Sequence, residues 1–274
     1  MFIYCNGDSF TQGDELGDSV IPGWSGPVNQ ATSFEESSAR TLKEWPWHHN
    51  AVNKLSVDQL QQQAKLELEL SWPSQLAKLL GADFKNAGKG GSSMQTILWR
   101  TMLDLNEINR EIDYVFIMLT SPQRLTMFSA EFEDHYECCR SYMYGYSMGY
   151  SPDIQHLMKT QLVVETEKDM VLRYLNDIVL TNTCVHSATG KFPILLESTM
   201  NHFYKSLLEQ YSNVSSIKRL IKLSRINNIP KQLKMPTYMV AGELVMPMGH
   251  LTAAVHTRFA EGVAAYLTSY KEQT

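Results

Sequence analysis

Little in the chain ties it to nucleic acid, to a metal or to a membrane. Its 24 Lys and Arg are outnumbered by 29 Asp and Glu, giving a formal charge of -5, whereas a nucleic-acid binder usually carries a basic excess. Only four cysteines occur, Cys5, Cys138, Cys139 and Cys184, with neither C-x-x-C nor zinc spacing. The adjacent Cys138 and Cys139 read as buried thiols rather than a disulfide, which points to a reducing compartment. No apolar run approaches the roughly 20 residues of a spanning helix. Met1 to Cys5 is too short for the apolar region of a signal peptide, and Asn6 to Gly13 is polar. The expectation is a protein that is cytoplasmic as synthesised. No G-x-x-x-x-G-K-[ST] phosphate loop is present, and there is no internal repeat or low-complexity tract.

The 274 residues, 43% hydrophobic and 19% charged, suit a globular chain with a well-filled core. Met1 to Cys5 reads as a buried first strand. Asp14 to Glu44 is rich in Gly, Pro, Ser and Asn and reads as a long loop with a short helix near Phe34 to Leu42; such loops are often functional. Ser56 to Leu70 is helical in composition. Ser71 to Ser74 opens a second helix, Gln75 to Leu80, that stops at Gly81. Asp83 to Ala87 is a short strand. A glycine-rich turn, Gly88 to Ser93, leads into Met94 to Asn109, which has apolar residues at helical spacing.

Asp113 to Leu119 is the clearest buried strand, its near-continuous apolar run fitting a parallel sheet covered on both faces. Thr120 to Arg124 closes it. Phe128 to Pro152 is crowded with Tyr, Met and Phe, which suits a lid, an interface or buried packing. Ile154 to Leu180 reads as a long helix and Phe192 to Glu197 as a strand. Asn201 to Tyr211 is short and helical, Lys218 to Lys234 is basic and poorly patterned, and a last helix spans Leu251 to Tyr270. Strands alternating with helices predict a three-layer α/β fold.

The most informative stretch is Tyr4 to Gly13, Y-C-N-G-D-S-F-T-Q-G. A strand running into a tight Gly7-Asp8-Ser9 turn can lift one hydroxyl out of the end of a sheet, where α/β proteins bind ligands. A serine there is either a turn or cap residue or a nucleophile, and a nucleophilic serine needs a base. His250 is the base this sequence offers; the alternative is a packing histidine at a helix start. His256, six residues later, reads as structural or as a support behind the site. Gly91 either turns the chain or places a backbone N–H in an oxyanion hole. Ser121 and Thr120 could add hydroxyl donors. Arg124 either clamps an anion or forms a structural salt bridge. Trp47, within Trp45-Pro46-Trp47-His48-His49, belongs to a rigid packing turn or to a substrate-contacting wall.

Taken together these blocks resemble the GDSL/SGNH hydrolase superfamily, in particular its divergent members from tailed bacteriophages. Gly7-Asp8-Ser9 matches the first block. Asn86 to Ser93 resembles the second, with Gly91 as its oxyanion glycine. Thr120 to Arg124 fits a Thr/Ser-Pro-x-Arg form of the third, placing Ser121 where the family has asparagine. His250 to His256, followed by Arg258-Phe259-Ala260, matches the histidine-led entry into the final helix. The family acid lies three residues before the histidine, where this chain has Pro247. Glu243 is the nearest upstream carboxylate; a backbone carbonyl or a Ser–His dyad are the other arrangements open to it.

The resemblance implies one flavodoxin-like α/β/α domain over residues 1–274, the SGNH-hydrolase fold. A parallel sheet of about five strands is expected, with insertions near 14–55 and 125–155. It implies a serine hydrolase cleaving an oxygen ester, an acyl or acetyl group on a carbohydrate or other small substrate, without metal or cofactor. Ser9 would attack, His250 would relay the proton, and the N–H groups of Ser9 and Gly91 would hold the oxyanion. The missing asparagine and acid keep a second class open, an inactive scaffold such as a virion component, with a homo-oligomer or virion partner. A transferase using the same nucleophile is a third.

Overall fold

The computed structural model describes residues 1–13, 16, 56–90, 92–129, 134–139, 160, 165–198, 202–235 and 252–271. Six strands are described: β1 (Phe2–Asn6), β2 (Asp83–Asn86), β3 (Tyr114–Leu119), β4 (Arg124–Ser129), β5 (Asp134–Cys139) and β6 (Ile194–Glu197). Four of them form one all-parallel sheet in the order β2-β1-β3-β6. β4 and β5 make a separate antiparallel hairpin.

β1 and β3 lie at the centre. Every residue of β1 is buried, and Val115 to Leu119 of β3 are buried too. This explains why both read as continuous apolar runs rather than alternating ones. Among the described residues the sheet has four strands, against the five expected. At its β6 edge the described residues give only an isolated parallel bridge between Glu197 and Lys234. One pairing is not a strand, although Met235 also donates its N–H to the Glu197 carbonyl at 2.8 Å.

The helices are α1 (Ser9–Gln12), α2 (Val57–Leu70), α3 (Trp72–Leu80), α4 (Met94–Glu107), α5 (Glu167–Thr189), α6 (His202–Tyr211), α7 (Ser215–Ser224) and α8 (Ala253–Lys271). They cover both faces of the sheet, and β1 shows how. Side chains alternate along a strand. Tyr4 and Asn6 reach α4, where they bond to Asp104 and Thr101. Cys5 stands beside Phe116 in the β1–β3 register. Phe116 packs edge-on against Trp72 of α3 at 6.1 Å, and Trp72 meets Phe259 of α8 at 5.5 Å. Such aromatic pairs add about 0.5–1.5 kcal/mol each beyond the area they bury. Helices α3 and α8 therefore lie on one face, while α4 packs with α5 on the other.

Local chemistry sets the helix ends. α3 has Pro73 in its first turn and stops at Gly81, whose φ of 59° is a left-handed cap. Of the long helix expected at Ile154 to Leu180, the part from Glu167 on is α5, which runs on to Thr189; residues 154–159 and 161–164 lie outside the described residues. Thr166, in extended conformation, forms a capping box with Asp169 and starts α5 at Glu167; Gly190 ends it after Thr189. The stretch taken as poorly patterned contains α7, which begins before Lys218, so that buried Ile217 and Ser224 fall seven apart on one face. The span 14–55 lies outside the described residues except for Leu16, which is buried. Among the described residues no helix is long and apolar enough to cross a membrane.

Asp177 on α5 is mostly buried, and its Oδ2 has no hydrogen-bond partner. Burial pushes its carboxyl up to about 6, with nearby Arg173 opposing the shift. The folded chain thus holds this proton more tightly than the unfolded chain does. The group's contribution is fully present below its unfolded pKa near ~4 and is lost as pH rises through about 6. Asp177→Asn should raise stability at neutral pH by about 1–3 kcal/mol and flatten the decline between those two pH values. Urea unfolding across that range checks it; identical pH slopes for both proteins would refute it.

Candidate active site

All four parallel strands end on the same edge. Chain order carries β1 to β2 on one side, then back across to β3 and β6 on the other. The switch in direction falls between β1 and β3, and in open α/β sheets ligands bind in the crevice at that switch. Ser9 follows β1 after Gly7 and Asp8, as the first residue of α1. Thr120 and Ser121 follow β3 directly. The structure therefore brings the Gly7-Asp8-Ser9 turn and the end of β3 side by side at that switch.

What joins those sides is Asp8. It is 0% exposed and makes an ion pair with Arg124, itself 6% exposed, at 3.0 Å. The hydroxyl of Thr120 donates to the same Oδ2 at 3.1 Å. Arg124 Nη1 also donates to Thr120 Oγ1 at 2.9 Å and to the Ser92 carbonyl at 3.3 Å. One guanidinium nitrogen thus reaches the loops after β1, β2 and β3. From α5, Arg173 donates to the carbonyls of Arg124 at 3.0 Å and Pro122 at 3.3 Å while pairing with Glu165 at 2.7 Å.

The turn itself is set by close approach. Asp8 O accepts the N–H groups of Thr11 and Gln12 at 2.9 and 3.0 Å, closing α1. A Cβ on Gly7 would come within 2.6 Å of Met118 Cβ, and one on Gly88 within 2.5 Å of the Gln12 backbone nitrogen. Only glycine lets these backbones pass. The loop after β2 is bound to the turn along its length: Lys89 N–H donates to Gly7 O at 3.2 Å, and Gly90 N–H to Gln12 Oε1 at 2.5 Å. Ser9 is 4% exposed.

Beneath the turn, Asn6 is fully committed. Its Oδ1 accepts Gly7 N–H at 2.8 Å, and its Nδ2 reaches Ile97 O, Thr101 Oγ1 and Tyr4 Oη at 2.9 to 3.2 Å. Tyr4 donates to Asp104, which pairs with Lys85. Burial and the Asp104 carboxylate hold the Tyr4 proton firmly on. Burial likewise pushes the Cys5 thiol up, so it stays protonated and unreactive.

Ser121 accepts the Gln123 N–H at 3.3 Å through its hydroxyl. His256 is buried and accepts the Trp72 N–H at Nδ1, 3.1 Å away. A bond accepted there fixes the Nε2–H tautomer and caps α3 from α8. A short relay ties that contact to the serine turn: Asn86 Nδ2 donates to Thr11 O at 2.8 Å and to Ser71 Oγ at 3.4 Å, one residue before Trp72. His250, Glu243, Gly91 and Trp47 lie outside the described residues, as do the side chains of Cys138 and Cys139. Among the described residues no three His, Cys, Asp or Glu side chains come together as a metal site.

Sequence reasoning missed Asp8 and Asn6. The signal for Asn6 was there in part, since a polar residue closing a wholly buried strand must find partners inside. Asp8 gave no such signal, because its partner lies 116 residues away.

No protein-family model matches the chain, and no curated protein matches it. Solved structures do show likeness. An acetyl xylan esterase from the rumen bacterium Butyrivibrio proteoclasticus is 13% identical, over 99% of this chain and 64% of that one, with a TM-score of 0.48. A family two carbohydrate esterase from Clostridium thermocellum is 14% identical over 100% and 65%, TM-score 0.48. A lipolytic protein of the G-D-S-L family from Veillonella parvula is 10% identical over 98% of both chains, TM-score 0.44. This chain spans just under two-thirds of the first two. At these identities and scores the likenesses carry no argument about family, substrate or activity.

Proposed function

We propose that the chain is a serine hydrolase of the SGNH type acting on an oxygen ester. One observation carries the reading: a serine at the switch point of a parallel sheet, in a turn that a buried ion pair fixes to the end of β3. Ser9 attacks the acyl carbon, and its proton passes to His250. The proton then moves to the alkoxide as the ester C–O bond breaks. Water, activated by the same imidazole, releases the acid and restores Ser9. The Ser9 backbone N–H and that of Gly91 stabilise the oxyanion, and Glu243 orients the imidazole.

The relay from Thr11 through Asn86 and Ser71 to Trp72 and His256 supports the choice of base. It holds the start of α8 beside the serine turn, and the three Cα–Cα steps from His250 to Ala253 span about 10 Å at most. An acyl or acetyl group on a carbohydrate is the substrate class proposed, with Trp47 as a contact for a flat sugar ring. A bacteriophage origin remains a proposal on the Thr120 to Arg124 pattern. One observation favours the scaffold reading. The Ser121 hydroxyl accepts a bond within its own turn and stands where the resembled family has an asparagine donor.

Two tests follow from the site. With short-chain chromogenic esters, Ser9→Ala should lower kcat by about 10³-fold or more with an unchanged circular dichroism spectrum; equal rates for both proteins would sink the hydrolase reading. Arg124→Met should cost about 3–5 kcal/mol because it takes the guanidinium away from a fully buried carboxylate, while Asp8→Asn combined with Arg124→Met should recover much of that loss. Ester turnover should stay low in the recovered double variant. Full activity there would show that the pair does not position Ser9.

A further inference from the structure

A cavity of about 590 Å³ opens at the opposite end of the sheet from Ser9. The beginnings of β3 and β6 form its floor, and Ile112, Ile229, Leu233 and Tyr266 line its sides. This volume falls in the range of small-molecule pockets, roughly 300–1,000 Å³. Its charged lining is Arg225, Lys191 and Asp113. Asp113 is committed, its Oδ2 accepting the Phe2 N–H at 2.6 Å. Lys191 has an exposed ion pair with Glu111 at 3.6 Å, which holds it weakly.

Arg225 is held differently. It is the sole non-glycine at positive φ among the described residues, at 61°, in the position after α7 where glycine is the usual cap. An arginine kept in that conformation is a strained choice, and such choices gather at ligand sites. Its guanidinium lies 3.6 Å from the centroid of the Phe192 ring. His186 stacks on the same ring at 4.3 Å. Among the described residues the five Arg225 N–H donors meet neither a carboxylate nor another acceptor. The cavity thus combines a largely apolar lining with an exposed guanidinium held against the Phe192 ring.

We propose that this cavity is a second ligand site, separate from the Ser9 crevice, for an aromatic carboxylate. The ring system lies on the apolar floor beside Tyr266, and the carboxylate is gripped by the planar fork of Arg225, with Lys191 as the outer cation. No bond is made or broken. The proposal does not depend on the hydrolase reading.

Calorimetric titration with 2-naphthoate tests it. Wild type should bind one equivalent, and Ser9→Ala should bind equally well. Arg225→Ala and Arg225→Gly, both at an exposed turn, should weaken binding at least tenfold. The neutral 2-naphthamide should bind correspondingly more weakly than the acid. Ile229→Trp should fill the cavity and abolish binding; if that variant loses its fold, Thr189→Trp at the rim replaces it. Absence of naphthoate binding by wild type would overturn the proposal. So would affinity unaltered in both Arg225 variants, or acid and amide binding alike.

Discussion

The buried Asp8–Arg124 pair is the constraint on which the crevice depends. Removing two charges from water is costly, and their attraction compensates only when remaining donors and acceptors are satisfied. Here the supporting bonds come from Thr120 and from the Ser92 carbonyl. The same contacts fix the geometry. Three loops, each leaving a different strand, converge on one guanidinium nitrogen, so none can shift without stranding a buried charge. The pair's value is therefore positional more than stabilising, and Ser9, the residue next to Asp8, inherits that position.

The glycines and the ion pair act on the same turn in complementary ways. Gly7 and Gly88 let the backbones approach so closely that a Cβ at either would overlap neighbouring atoms. Asp8 then holds what the glycines permit. Asn6 supports the turn from below by satisfying the Gly7 N–H while anchoring to α4. For the hydrolase we propose, a serine mounted this way would lose little freedom on reaching its substrate, which is where preorganised sites gain rate.

Much of this architecture was legible from local signals. The buried β1 and β3, the stop of α3 at Gly81 and the glycine-rich turn before α4 all depend on residues within a few positions of one another. Where the evidence was distant, reading failed. Asp8 looked like a turn residue because nothing near it announces a buried arginine. Arg124 left two roles open because its partner is at the other end of the sheet sequence. The far end of α5 was placed too early, because the glycine that stops it, Gly190, lies ten residues beyond Leu180. α7 was missed because its lysines and arginines obscured the apolar face carried by Ile217. The β4–β5 hairpin needs a partner strand to be recognised at all.

The most direct test of a nucleophilic Ser9 is covalent capture. The chain would be treated with a fluorophosphonate, digested, and the modified residue located by mass spectrometry. Phosphonylation requires an activated hydroxyl, so a folded protein with a merely structural serine stays unlabelled. A single adduct on Ser9, absent after denaturation before treatment, is the expected result. Recovery of the unmodified Ser9 peptide from folded protein at saturating reagent would contradict the assignment.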